Sequence, residues 1–420
     1  MATVLLIVCG ALVALLLAVN LRSSEKKIVR PITHTYDPAQ PQFSRVLGSL
    51  LGPAVIDGNQ VTALHNGDEI FPAMLSAIRS ARHSITFETY IYWSGEIGRE
   101  FSAALAERAI AGVRVHLLLD WLGAGKLEND LIETMEQAGV EVEKFHPLRW
   151  YSLNRLNNRT HRKLVVIDGR IGFTGGVGIA DLWRGHAQDP EHWRDTHYRI
   201  EGPAVAQMQA AFMDHWISTR GAVLHEETYF PALPVAGTHR AQVFRSGADD
   251  GAESVRLMYL LSLAAASSSL KIASAYFVPD DLTTAMLVTA CRRGVVVEIL
   301  VPGKHSDTAL VRRASRARWG PLLEAGAAIF EYQPTMYHCK IMIVDRCWTS
   351  VGSTNFDNRS FRLNDEANLN VHDEAFALEQ CRVFDADLTR ARRITLAQWQ
   401  GRPELEKIRE QLAALLRSQL

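Results

Sequence analysis

The stretch HCKIMIVDR, residues 338–346, decides the predicted fold, because HRKLVVIDG at residues 161–169 repeats its polar positions. Each stretch has a histidine and a lysine two residues apart, then four apolar residues and an aspartate. Side chains two apart on a β-strand share a face, so each His–Lys pair points to one side, where it suits a phosphate. A single His-x-Lys pair is more often a surface-edge pair than a site. Two copies in register favour a site built from two matching strands.

The surrounding sequence repeats in the same order. SARHSITFETYIYW (residues 80–93) is matched by SSSLKIASAYFVPD (267–280), and AIAGVRVHLLLDW (109–121) by CRRGVVVEILVPG (291–303). Short apolar runs alternate with helical patterns, which predicts an α/β sandwich in each half. The predicted seam lies in YFPALPVAGTHRA, where prolines and a glycine interrupt any regular pattern. The predicted domains are therefore residues 56–235 and 236–420, preceded by a connector at 22–55.

The composition makes some classes of protein less favoured than others. Of the 420 residues, 47% are hydrophobic and 22% are charged, which is an ordinary globular composition. The formal net charge of -1 argues against a nucleic-acid partner, since such proteins usually carry a basic excess. The five cysteines form no CxxC pair, so neither a disulfide framework nor a zinc site is indicated.

The N-terminal segment differs from the rest of the chain. Residues 2–21 carry no charge, and about 20 apolar residues match the thickness of a bilayer core. A cleaved signal peptide would need a basic start, which this segment lacks, so an uncleaved single-pass anchor in the cell membrane is predicted. Basic residues follow the segment at Arg22, Lys26, Lys27 and Arg30. The positive-inside rule then places the remaining chain in the cytoplasm.

The repeated stretches resemble the phospholipase D superfamily, whose signature is His-x-Lys-x4-Asp, then six residues, Gly-Gly or Gly-Ser, and an Asn. The second copy is complete, with His338, Lys340, Asp345, Gly352, Ser353 and Asn355. The first copy has His161, Lys163, Asp168, Gly175 and Gly176, but Gly178 stands where the family usually has Asn. That departure removes one amide from the expected pocket. WRDTHYRIEGPAV (193–205), DNRSFRLNDEANL (357–369) and the apolar N-terminus are most similar to bacterial cardiolipin synthases.

The resemblance implies two phospholipase D-like α/β sandwich domains packed as a pseudo-two-fold pair, with one histidine from each in a single cleft. It implies a double displacement at a phosphodiester, in which His161 attacks phosphorus and His338 serves as acid and then base; the reverse assignment stays open. It also implies supporting roles for further residues. Asp195 and Glu366 would orient the imidazoles; Lys163, Lys340 and Asn355 would hold the phosphate oxygens; Asp168 and Asp345 would be structural.

Three functions remain open at this stage. The first is phosphatidyl transfer that makes cardiolipin from phosphatidylglycerol and a second phospholipid. The second is hydrolysis by the same site, as a phospholipase D or another phosphodiesterase, including a nuclease. The third is a membrane scaffold without activity, against which both complete His–Lys pairs count. Phospholipids and the membrane are the expected partners. No cofactor is expected, and the spacing of His186, His192 and His197 fits no standard zinc pattern.

Two further segments suggest surfaces. RRASRAR at residues 312–318 concentrates basic charge, either as a solvated face or as a contact for anionic lipid headgroups. The C-terminal segment at residues 404–420 is amphipathic. Its apolar stripe comprises Leu405, Ile408, Leu412 and Leu415. We expect this stripe to pack onto the second domain, because most such stripes face a core.

Overall fold

The computed structural model describes residues 28–147, 158–247 and 253–416. The predicted membrane anchor at residues 2–21 lies outside these ranges. In the described ranges, no helix has both the length and the apolar character needed to cross a bilayer. From Pro31 onward the chain forms one compact unit.

Strands and helices alternate through the first half of the chain. The strands are β1 (Ile56–His65), β2 (Ser84–Thr89), β3 (Arg114–Asp120), β4 (Glu141–Phe145), β5 (Arg159–Thr160), β6 (Leu164–Ile167), β7 (Ile171–Gly175) and β8 (Thr196–Glu201). The helices are α1 (Pro41–Leu51), α2 (Asn66–Ser80), α3 (Glu96–Ile110), α4 (Asn129–Gln137) and α5 (Val205–Arg220). A short 3-10 turn covers Asp181–Trp183. Helix α2 buries Ile70, Met74 and Ile78 at helical spacing, which is why this segment forms a helix against the sheet.

The second half repeats the alternation. Its strands are β9 (His239–Ser246), β10 (Ser269–Ser274), β11 (Phe277–Val278), β12 (Val296–Pro302), β13 (Ala328–Tyr332), β14 (Lys340–Val344), β15 (Trp348–Gly352), β16 (Phe356–Asp357), β17 (Asn364–His372) and β18 (Ala391–Ile394). Its helices are α6 (Ser254–Ala265), α7 (Asp281–Arg292), α8 (Ala309–Ala317), α9 (Gly320–Glu324), α10 (Asn358–Arg362), α11 (Glu374–Leu388), α12 (Leu396–Gln400) and α13 (Glu404–Ala414).

One large sheet runs through both halves. At its centre β9 pairs with β1 in antiparallel orientation. On one side of this pair the order is β8, β7, β6, β2, β3, β4, and on the other it is β17, β15, β14, β10, β12, β13, with β18 at the edge. The two sides match strand for strand out to β4 and β13, and β18 is an additional strand of the second half. This arrangement confirms the predicted α/β class and the duplication, whereas the boundary between residues 235 and 236 stays a prediction.

The two motif strands lie in the interior of this sheet. Every residue of β6 and of β14 is buried, and each strand has neighbours on both edges. Buried apolar strands of this kind fix the backbone on which they stand. The histidine of each motif precedes its strand, so the sheet holds both histidines at the beginnings of two equivalent strands.

The expectation that the C-terminal stripe packs onto the domain is wrong. Leu405, Ile408, Leu412 and Leu415 are 59%, 56%, 59% and 77% exposed. Helix α13 instead turns its other side inward, with Glu410 and Ala413 buried. Ala413 joins an apolar cluster with Val311 and Ala314 of α8. Glu410 pairs with Arg402 and Arg316. These ion pairs and the alanine contact hold the polar side against the protein, which leaves the leucines outside.

Candidate active site

Each motif lysine folds back onto its own histidine. The Nζ atom of Lys163 donates to the backbone oxygen of His161 at 2.7 Å, and Lys340 donates to the backbone oxygen of His338 at 2.6 Å. All four residues are buried. This local bond holds each ammonium group close to the histidine of its own motif.

The imidazoles are held by carboxylates of the opposite halves. His161 Nδ1 lies 3.0 Å from both carboxylate oxygens of Glu366. His338 Nδ1 lies 2.7 Å from Asp195 Oδ2. When Nδ1–H donates to a carboxylate, the Nε2 atom carries no proton and can act as a base or a nucleophile. Lys340 Nζ lies 3.3 Å from Nε2 of His338.

The backbone repeats this exchange between the halves. The amide of His161 donates to the carbonyl of Asp365 at 2.8 Å, and the amide of His338 donates to the carbonyl of Arg194, also at 2.8 Å. In both cases the acceptor immediately precedes the orienting carboxylate. Each histidine is therefore placed by two contacts from the other half, one through its backbone and one through its ring.

The two orienting carboxylates have different further partners. Glu366 accepts from the hydroxyl groups of Ser353 and Ser360. Asp195 accepts from the indole N–H of Trp183 at 3.0 Å and from the amide of Thr196 at 2.8 Å. Burial opposes ionisation of both carboxyls, but the facing histidine and these hydrogen bonds keep the pKa of Glu366 and of Asp195 below the usual range.

Burial shifts the cationic groups of the site toward their neutral forms. It lowers the pKa of His161 to about 4 and that of Lys163 to about 7. The pKa of His338 is lowered by burial and by the charge of Lys340. Lys340 also lowers the pKa of His161, although these two residues come from different halves. The two motifs thus act electrostatically as one site.

The motif glycines stand where a side chain would collide. A Cβ atom on Gly176 would lie 2.3 Å from Asp195, and one on Gly175 would lie 2.6 Å from the carbonyl of Thr196. At Gly178, the position where the superfamily usually has Asn, a Cβ atom would lie 2.8 Å from Ile91 Cβ. The first motif therefore has no room for the missing amide. In the second motif, Asn355 is buried, and its Oδ1 has no hydrogen-bond partner among the described residues.

The motif aspartates lie at the far ends of their strands and bind backbone amides. Asp168 accepts from the amides of Arg82, His83 and Ser84. Asp345 accepts from the equivalent amides of Ser267, Ser268 and Ser269. These contacts tie the turn after each motif strand to the start of the neighbouring strand. Asp345 also accepts from the hydroxyl groups of Ser267 and Ser268, so both carboxylates are occupied by contacts at these turns.

Comparison with known proteins identifies the family. A family model described as cardiolipin synthase, PLD-like domain, matches residues 74–216 and 259–388. The chain belongs to this phospholipase D-like family. Cardiolipin synthase 1 of Bacillus cereus is 35% identical over 375 residues, which cover 87% of this chain and 73% of the relative. Cardiolipin synthase of Geobacillus kaustophilus is 38% identical over 362 residues, which cover 85% of this chain and 72% of the relative.

Two solved structures share the fold of this phospholipase D-like family member. Phosphatidylserine synthase of Haemophilus influenzae has a TM-score of 0.69 at 15% identity, covering 90% of this chain and 100% of the other. Polyphosphate kinase of Porphyromonas gingivalis has a TM-score of 0.55 at 12% identity, covering 89% and 53%. At these identities the likeness concerns the fold alone.

The sequence prediction missed a second buried hydrogen-bond network, which contacts the phospholipase D-like site. His215 Nδ1 lies 2.5 Å from Glu88, and its Nε2 lies 3.4 Å from Asp365, whose carbonyl accepts the amide of His161. Thr160 also donates to Glu88. Burial opposes the charged imidazole, but the two carboxylates raise the pKa of His215. The available sequence signal was Glu88 itself, the one charged residue of β2 (Ser84–Thr89).

The three histidines considered for a metal lie in separate environments. His186 is exposed and lies 3.3 Å from Asp68, and His192 lies 2.6 Å from Asp189. His197 is buried in β8, where burial lowers its pKa to about 3. Across the ranges that the structure describes, no group of three or more potential ligands is arranged to hold a metal ion.

Proposed function

We propose that the protein is a membrane-anchored phosphatidyltransferase that makes cardiolipin from phosphatidylglycerol and a second phospholipid. One observation carries the proposal. His161 and His338 are buried in one electrostatic site, and each is oriented by a carboxylate of the other half. The cardiolipin synthases to which the chain is similar support this substrate class.

The first step forms a phosphohistidine. His161 Nε2 attacks the phosphorus of phosphatidylglycerol, and the bond from phosphorus to the glycerol oxygen breaks. The low pKa of His161 favours the neutral imidazole that this attack requires. His338 gives its proton to the departing glycerol oxygen. Since the substrate phosphate is anionic, its binding raises the pKa of His338 and favours the imidazolium needed here.

The second step transfers the phosphatidyl group. His338, now neutral, accepts the proton of a hydroxyl on the second phospholipid, and that oxygen attacks phosphorus. The phosphorus–nitrogen bond breaks, which releases cardiolipin and restores neutral His161. Lys163, Lys340 and Asn355 stabilise the charge on the non-bridging oxygens in both transition states. The groups of the chain supply acid, base, nucleophile and charge stabilisation, so turnover should survive EDTA.

A product analysis tests the proposal against hydrolysis. The detergent-solubilised full chain is incubated with phosphatidylglycerol, and the lipids and free glycerol are resolved. Cardiolipin with equimolar glycerol supports transfer, whereas phosphatidic acid with glycerol and no cardiolipin would establish a phospholipase D instead. His161→Gln should abolish either product. His186→Gln, at an exposed histidine, serves as the matched control and should leave turnover unchanged.

The proposal includes attachment to the cell membrane through residues 2–21, with the catalytic part in the cytoplasm. If this segment only tethers the enzyme, its deletion should weaken recruitment to vesicles and leave turnover in mixed micelles intact. Loss of turnover in micelles by a well-folded truncated chain would show that the segment helps to build the site.

A further inference from the structure

The exposed side of α13 is an apolar surface, hereafter the leucine stripe. It comprises Leu405, Ile408 and Leu412 of the helix together with Leu415 and Leu416 in the turn that follows it, and each of the five is more than half exposed. The inner side of the same helix is fixed by Glu410 and Ala413. Five large apolar side chains are thus exposed within twelve residues at helical spacing, and concentrations of exposed apolar surface mark interaction sites.

Exposed positive charge accompanies the leucine stripe. Arg409 on α13 and Arg313 on the neighbouring α8 are exposed, and neither makes an ion pair within the described residues. The acidic groups of α13 are occupied. Glu404 pairs with Lys407, Glu406 with Arg316, and Glu410 with Arg402 and Arg316. The charge left unpaired on this pair of helices is therefore positive, which complements an anionic surface.

The two helices adjoin the candidate active site. Burial lowers the pKa of His338 and of Lys340, and the nearby charge of Asp307, two residues before α8, partly opposes that lowering. The hydroxyl of Tyr276 donates to Asp307. The same tyrosine packs against the cluster of Val278, Val311, Ala314 and Ala413 that joins α8 to α13. A surface on α13 is thus linked by direct packing to the edge of the site.

We propose that the leucine stripe docks into the headgroup region of an anionic lipid bilayer, with Arg313 and Arg409 on lipid phosphates. An amphipathic helix with leucines on one side and cations beside them binds membranes in this way, lying in the plane of the interface. The docking is independent of whether the site performs transfer or hydrolysis. It brings the site to the surface in which phospholipids reside.

Photo-crosslinking of the full chain identifies the occupant of the stripe. The photoreactive amino acid p-benzoylphenylalanine replaces Leu412, and the protein is illuminated on vesicles of phosphatidylcholine with or without phosphatidylglycerol. The matched control carries the same probe at Ile110, an isolated apolar residue that is 76% exposed at the end of α3. We expect a lipid adduct at position 412, more on vesicles with phosphatidylglycerol, and none at position 110.

Three outcomes overturn the proposal. These are a crosslink from position 412 to a second copy of the chain, a crosslink to residues 2–21, and a lipid yield no higher than at position 110.

The contribution of the two arginines has its own test. Arg313→Gln and Arg409→Gln should each lower the adduct yield on phosphatidylglycerol vesicles about fivefold, as expected for one cation near an anionic surface. Arg82→Gln, at an exposed cation of the first half, should not. If Arg313→Gln and Arg409→Gln give the same adduct yield as Arg82→Gln, these two arginines do not recognise anionic lipid.

Discussion

The Nδ1 atom of His161 lies 3.0 Å from Glu366, although 205 positions separate the two residues and they belong to opposite halves. The reciprocal pair, His338 and Asp195, is separated by 143 positions. Each carboxylate selects the tautomer of a histidine that its own half does not contain. The orientation of both catalytic candidates is therefore a product of the duplication as a whole.

Replacing Glu366 should remove the orientation of the nucleophile. In Glu366→Gln, one carboxylate oxygen becomes an NH2 group, although Ser353 donates to Oε2, Ser360 donates to Oε1, and His161 Nδ1 lies 3.0 Å from both oxygens. The neutral amide no longer selects the Nδ1–H tautomer of His161, so the fraction of imidazole with an Nε2 lone pair for attack falls. We expect kcat to fall about 10²–10⁴-fold, as for loss of the orienting carboxylate in a catalytic triad, with little change in KM.

A buried carboxylate outside the site provides the control. Glu331 is 1% exposed and pairs with Arg312 and Arg392, so Glu331→Gln should lower stability and keep kcat. Asp195→Asn, on the acid side, should slow the first-step release of p-nitrophenol from a p-nitrophenyl phosphodiester much less, because that leaving group needs little acid. A near-normal kcat in Glu366→Gln would show that Glu366 does not orient His161 for catalysis.

Replacing His338 should trap the intermediate. With a p-nitrophenyl phosphodiester, attack by His161 needs little acid, but the second step needs the base that His338→Gln lacks. An acid-labile phosphorus adduct should then accumulate on His161 and be detected by mass spectrometry. His161→Gln should accumulate no adduct. An adduct on His338 in that variant would reverse the assignment of nucleophile and base, and active variants without any adduct would exclude the phosphohistidine.

The pH dependence of the first step should report Lys163. With the same p-nitrophenyl substrate, kcat/KM for p-nitrophenol release reflects ionisations of the free enzyme. It should rise as pH increases through about 4, where His161 loses its proton, and fall through about 7, where Lys163 loses its charge. Lys163→Arg stays protonated, so its basic limb should move to higher pH. Lys144→Arg, at an exposed lysine, should leave the basic limb of the kcat/KM profile at the same pH. A basic limb that does not move in Lys163→Arg would show that a group other than Lys163 causes it.

The stability of the fold should depend on Asp357. Burial raises the pKa of this carboxyl from 3.8 to about 7. Because the folded state binds the proton more tightly than the unfolded state, the free energy of unfolding falls as pH rises from about 4 to 7. Asp357→Asn keeps an N-cap for α10 and should raise that free energy by roughly 2–4 kcal/mol at pH 8 and by nothing at pH 4.

Thermal midpoints at the two pH values check this expectation. The matched control is Asp373→Asn, because Asp373 also caps a helix, α11, through a hydrogen bond from the amide of Phe376 at 2.8 Å. Its effect should be small at both pH values. A stabilisation by Asp357→Asn that is equal at pH 4 and pH 8 would contradict the buried ionisation.

The features of the fold that could be predicted from the sequence are those that the spacing of nearby residues determines. Two matched His-x-Lys stretches and the repeated order of strands and helices are periodic signals, and the sheet reproduces them on both sides of β1 and β9. The crossed assignment of Glu366 and Asp195 is different. It depends on which strand ends meet across the centre of the sheet, and no local pattern records that.

Helix α13 shows a second limit of sequence patterns. Its periodicity predicts an apolar stripe and a polar side but does not say which one faces the protein. The ion pairs of Glu410 with Arg402 and Arg316 turn the polar side toward the protein, and both arginines lie outside α13. The network of Glu88 and His215 escaped prediction for the same reason, since its members are 127 positions apart.

The crossed pairing also constrains how the two repeats can diverge in evolution. A substitution that displaces Glu366 disables the histidine of the other repeat and leaves its own in place, and the same holds for Asp195. Neither repeat can therefore decay or specialise as an independent module, and pieces of the gene expressed separately would have to recombine to regain both imidazoles in working order. The chain is in effect an obligate heterodimer encoded as a single polypeptide.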